Sequence, residues 1–117
     1  MLSLNWVRST TNEWLDPRRT NWLSVDADGV YFIWAPGTLI GGPIYVKAGQ
    51  GNVRSRMQDH MRDARITRYR QLNFTYAHVA WSQKDGVERY LGDVLRPLVA
   101  ERFPDAPPIR VNLPRVA

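Results

Sequence analysis

Residues 44–60 read I-Y-V-K-A-G-Q-G-N-V-R-S-R-M-Q-D-H and gather the side chains best suited to acid–base and anion chemistry. Read as a strand, Ile44, Val46 and Ala48 alternate with Tyr45 and Lys47. That sends the apolar trio to the core and Tyr45 with Lys47 to the opposite face. Arg56 and His60 stand four apart, on one face of the helix that Val53, Met57, Met61 and Ala64 would bury. The chain has two lysines against fourteen arginines, so a lysine beside Gly49 and Gly51 asks for a reason. Six arginines (54, 56, 62, 65, 68 and 70) fall within seventeen residues, offset by Asp59 and Asp63. Singly, Arg62, Arg65, Arg68 and Arg70 read as a solvated helix face. As a cluster beside a glycine turn, they are expected to hold a phosphate backbone.

The bulk numbers narrow the chemistry. A chain of 117 residues with 44% hydrophobic and 23% charged content is one ordinary globular domain with one modest core. Zero cysteines exclude disulfides, thiolate metal sites and thiol catalysis, and two histidines make a structural zinc site improbable. No apolar run has the length of a membrane span and the N-terminus lacks a signal-peptide core, so a cytoplasmic location with no membrane partner is expected. A net charge of +5 favours a polyanionic partner, most simply nucleic acid.

The elements that must position these groups follow in order. Residues 1–28 form a Trp-rich extension (Trp6, Trp14, Trp22) in which a short helix near 10–16 is the one element suggested. D-A-D-G at 26–29 opens the strand G-V-Y-F-I-W at 29–34, and the Gly/Pro-rich run 35–43 is a long hairpin loop. The second strand is 44–48 and G-Q-G-N at 49–52 a turn, with Asn52 as N-cap of the first helix. F-T-Y-A-H-V-A-W-S at 74–82 is a third strand, in which His78 reads as a packed residue. The last helix opens at D-G-V-E, 85–88, and buries Val87, Leu91, Val94, Leu95 and Leu98, with Pro97 bending it or ending its regular part. The order β-β-α-β-α predicts a small α/β domain of α+β type, a three-stranded antiparallel sheet flanked by helices.

Taken together, Gly29-Val30-Tyr31, a second strand leading into glycines, Arg56 and His60 on a helix, and Glu88 on a later helix resemble the GIY-YIG nuclease domain. The resemblance covers about residues 29–114 and assigns 29–117 to a nuclease domain. It departs from the family pattern at the second tripeptide, where Lys47-Ala48-Gly49 fills the slot; Tyr45-Val46-Lys47 is the other alignment and loses the glycine. It implies a metal-dependent DNA endonuclease with catalytic Tyr31, Lys47, Arg56 and His60. Glu88 would hold one Mg²⁺ (or Mn²⁺). Tyr45, Gln50, Asn52, Arg54 and Asn112 are the expected nucleic-acid contacts.

In that chemistry Arg56 neutralises the phosphoryl charge, and Tyr31 takes or orients the proton of the attacking water. A phenol titrates near ~10, and a neighbouring Lys47 cation is expected to lower it. Desolvated, Lys47 could itself be the base. His60 relays the proton or holds a phosphate oxygen. Each residue also has a plainer reading alone: Glu88 as capping-box partner of Asp85, Tyr31 as core, Asn112 as a turn residue. Two rival functions stand beside the nuclease: a catalytically degenerate nucleic-acid-binding module, and a protein-interaction domain. DNA is the expected partner, with specificity supplied by a homodimer or a separate recognition protein.

Overall fold

The computed structural model describes residues 1–37, 41–100 and 102–116. Its elements are β1 (Asp28–Ala35), β2 (Ile44–Asn52), α1 (Val53–His60), α2 (Ala64–Thr67), β3 (Asn73–His78) and α3 (Lys84–Leu95), with 3₁₀ turns at Trp22–Ser24 and Trp81–Gln83. The sheet is antiparallel in the order β2-β1-β3, so the expected α+β architecture is the one observed.

The sheet is buried on both faces, because β1 is apolar at nearly every position. Val30, Phe32 and Trp34 pack with Ala48, with Val87, Leu91 and Leu95 of α3, and with Trp6 and Val111 from the terminal segments. Tyr31, Ile33 and Ala35 pack on the other face with Val46, with Val53 and Met57 of α1, with Ile66 of α2, and with Leu72 and Phe74. A buried side chain of this kind contributes about 1.5–3 kcal/mol, so neither layer is dispensable. Residues 1–28 are part of these layers: Trp6 and Val25 are core residues, and Trp14 and Trp22 stack edge-on and face-on against Trp34 and Phe74.

Several local expectations are corrected. The expected turn at 49–52 is instead the end of β2, which runs through both glycines to Asn52. A register shift between Ile33 and Trp34 sets Lys47 opposite Ile33 and Tyr45 opposite Trp34. The bulge therefore sends Tyr45 toward Phe32 on one face and Lys47 to the other, and they do not project together. Of the expected inward trio, Val46 and Ala48 enter opposite cores and Ile44 is exposed.

The helix through Ala64 breaks after His60, because Asp63 caps a separate short helix by accepting from the Arg65 N–H. No helix forms near 10–16; Leu15 instead makes a bridge to Phe74. The third strand stops at His78, and His78 is exposed, its Nδ1 3.1 Å from the Asp28 carbonyl. Arg96, immediately before Pro97, caps α3 in the left-handed conformation (φ 47°), and the proline bars it from continuing the helix. Val94 and Leu98 are exposed, outside the apolar stripe assigned to them. Part of the 35–43 loop lies outside the described residues.

Both sheet edges are partly sheathed, which blocks edge-to-edge pairing. Val7 donates to the Tyr76 carbonyl and Phe74 to that of Leu15 along β3; Leu98 and Val99 donate to the carbonyls of Tyr45 and Val46 along β2. Among the described residues that cover of β2 stops at Val46, leaving the edge at Lys47–Gly51 for side chains. No helix among the described residues is long and apolar enough to cross a membrane.

Candidate active site at the open edge of β2

Tyr31 lies opposite Gly49, and Lys47 sits diagonally from it on the same face. Gly49 is required there, since a Cβ would come within 2.5 Å of the Tyr31 hydroxyl. The space left by the missing side chain is filled by the phenol. On that face α1 runs past the ring, and Tyr31 Oη and His60 Nε2 form a 2.6 Å hydrogen bond. Asn52 positions α1 by accepting from the Ser55 N–H, and the buried Val53 and Met57 set its rotation. Arg56 and His60, one turn apart, then face the same side.

α3 approaches the opposite face of the sheet. Gln50, paired with Val30 and so pointing that way, donates from Nε2 to Asp85 Oδ1 (2.6 Å) and Glu88 Oε2 (3.3 Å). The two helices thus bring cations and carboxylates to either side of one exposed strand end, near enough for their charges to act across it. Burial raises the Glu88 carboxyl above its ordinary value; the Gln50 hydrogen bond, Arg56 and Lys47 pull it back, and Asp85 pushes it up.

Burial also drives Tyr31 up to about 12, against the opposing pull of the Arg56 guanidinium. The expected help comes from Arg56 and not from Lys47, and burial outweighs it, so Tyr31 is a neutral phenol. Its side chain is wholly buried, with its hydroxyl bonded to His60. His60 is depressed to about 4, first by burial and then by the positive charges of Lys47 and Arg56. Nδ1 is free to accept a proton in the tautomer whose Nε2–H donates to Tyr31 Oη.

Lys47 is only 8% exposed. Among the described residues it makes no hydrogen bond or ion pair, and its ammonium is not one of the sealed polar atoms left without a partner. The stem is therefore buried while the ammonium tip reaches solvent, the geometry of a snorkelling lysine.

The expected nucleic-acid contacts divide sharply. Gln50 is at the site but binds carboxylates. Asn52 is spent on its helix cap. Arg54 is tied back structurally, donating to the Val25 carbonyl at 3.0 Å. Tyr45 is packed beneath Phe32 on the far face. Asn112 is remote: its Oδ1 accepts from Leu4 N (2.6 Å), its Nδ2 donates to Leu4 O (3.0 Å), and its carbonyl accepts from the Trp6 indole. It staples the two termini together, with both its side-chain polar atoms engaged.

Asp85 is the residue that sequence reasoning passed over, having treated it as a helix cap. The signal was its three-residue spacing from Glu88, which puts two carboxylates on one helical face. No His, Asp and Glu group of three or more forms a potential metal cluster among the described residues, so any metal here would rest on these two carboxylates, water and substrate oxygens. No protein-family model, characterised protein or solved structure matches the chain.

Proposed function

We propose that this chain is a divalent-metal-dependent endonuclease that hydrolyses phosphodiester bonds in DNA, of the GIY-YIG type with lysine in the second tripeptide. The observation that carries the reading is Lys47. A lysine whose stem is buried and whose solvent-reaching ammonium makes no hydrogen bond or ion pair among the described residues, beside Arg56 and the Tyr31–His60 pair, is poised for an anion that the protein does not supply.

A phosphate diester seated between Lys47 and Arg56 would have its charge neutralised as it redistributes in the transition state. Its arrival also changes His60. Lys47 and Arg56 are two of the causes that hold the imidazole low, and an anion between them cancels part of that field. The His60 pKa then climbs toward its ordinary value, making Nδ1 a stronger base when substrate is present. Tyr31 fixes the ring through Nε2 and is a positioning residue.

The carboxylate side fits Mg²⁺ or Mn²⁺. Gln50 Nε2, a partly positive donor, stands between Asp85 and Glu88 where a cation would have the same attraction, and burial opposes the ionised form of Glu88 when none is there. Glu88 and Asp85 would hold the ion, which supplies Lewis-acid activation and charge at the leaving oxygen, as a hard cation with water-filled coordination does.

Nicking of supercoiled plasmid with Mg²⁺, with EDTA, and by Glu88→Ala and Arg56→Ala tests the reading. Nicking that EDTA and either substitution abolish supports it; full metal-dependent nicking by either variant refutes the mechanism. One observation favours a second reading, a non-catalytic nucleic-acid-binding module: Gln50 already satisfies both carboxylates. That module would bind DNA in a salt-dependent way and nick nothing.

A further inference from the structure

Trp81 is 86% exposed, whereas the other four tryptophans pack into the fold. Trp6, Trp14, Trp22 and Trp34 each pair with another aromatic ring; among the described residues Trp81 has no ring partner. A large indole face left in water at one place calls for an occupant.

Its position says which. The 3₁₀ turn Trp81–Gln83 runs directly into α3, with Gln83 and Lys84 both in the right-handed helical region. Trp81 therefore stands about one turn before Asp85 and two before Glu88, at the end of α3 that carries both carboxylates. Gln50 reaches those two carboxylates. That end of α3 is acidic, so it disfavours a phosphate, while Lys47 and Arg56 across β2 favour one. A strand entering this edge would direct its phosphate to the cations, leaving a base to reach the indole.

We propose that Trp81 is a stacking platform for an unpaired nucleobase flanking the phosphate held at Lys47 and Arg56, so that the preferred substrate carries single-stranded or unstacked nucleotides there. A paired base inside a duplex offers no free face; a single strand, a gap or a frayed end does. The inference rests on the nucleic-acid reading of the site but does not depend on cleavage.

The test is equilibrium binding of a short fluorescent single-stranded oligonucleotide in EDTA, where turnover cannot interfere. Trp81→Ala is expected to weaken single-strand binding about tenfold and leave blunt-duplex binding nearly unchanged, while Trp81→Phe keeps most of the affinity. Scanning one abasic site along the oligonucleotide should find a position that reproduces the loss in the wild type and adds nothing to Trp81→Ala. Equal single-strand binding by wild type and Trp81→Ala overturns the proposal. So does a wild type that binds no nucleic acid at low salt, or a loss of binding that sedimentation traces to a dimer dissociated by the substitution. Trp81-dependent binding without metal-dependent nicking would sink the nuclease and leave this inference standing; nicking with no Trp81 effect would do the reverse.

Discussion

The chain has two lysines, and they occupy opposite ends of one comparison. Both are 8% exposed. Lys84, at the first position of α3, is 2.5 Å from Asp28 Oδ1 at the start of β1 and ties helix to sheet. Lys47, in the middle of β2, has no such partner among the described residues. A cation held against a carboxylate is a fastening; one whose tip reaches water with no partner is open to a ligand. Exposure is the same at both, which makes the contrast a matter of partners and not of burial.

Replacing each lysine by methionine should separate them most widely. Lys47→Met is expected to lower nicking by roughly a hundredfold or more while thermal melts show an unchanged or raised Tm. Lys84→Met should do the opposite: because the Asp28 side chain is 59% exposed, the loss is only about 1 kcal/mol, with a smaller effect on rate. Equal destabilisation by both would break the comparison.

The base side comes next. His60→Ala is expected to cost about a hundredfold in kcat, and Tyr31→Phe about tenfold because Tyr31 works through the imidazole. A Tyr31→Phe variant whose pH–rate profile matched the wild type would deny it that positioning task. On the carboxylate side, Asp85→Asn should raise the Mg²⁺ concentration for half-maximal activity about tenfold and leave the saturated rate near normal.

Two effects are on stability. Gly49→Ala drives a Cβ into the Tyr31 hydroxyl and should cost about 1–3 kcal/mol in urea melts, with nicking falling as the Tyr31–His60 bond is displaced. The smallest concerns pH. His60 is held near 4 in the fold against an ordinary 6.5, so between those values the unfolded chain binds the extra proton. Stability is therefore lost as pH falls through that window. Urea melts at about pH 7 and about pH 5 should show the loss in the wild type and a flatter response in His60→Gln.

Much of the fold was legible because its signals are local. Period-two patterning marked the strands, and Asn52 and Pro97 sit where a cap and a stop belong. Other features were not. The two glycines at 49 and 51 read as a turn because turn chemistry is their commonest use, yet β2 runs through them: Gly49 leaves room for a ring from another strand, and Gly51 adopts φ +126°. The continuous apolar run of β1 was an unused sign of burial on both faces. The bulge that separates Tyr45 from Lys47 has no marker in the chain.

Along the site the division is similar. By itself the sequence determined the groups available and their spacing within one helix: Arg56 with His60, and Asp85 with Glu88, since helical repeat is a property of the local backbone. Only tertiary structure decided which of them meet. It brought Tyr31 to His60, Gln50 to both carboxylates, and Lys84, not Lys47, to Asp28. It also removed Asn112, Arg54 and Tyr45 from the site. Those outcomes depend on strand register, on a bulge and on burial, and each is set by the packing of the whole chain.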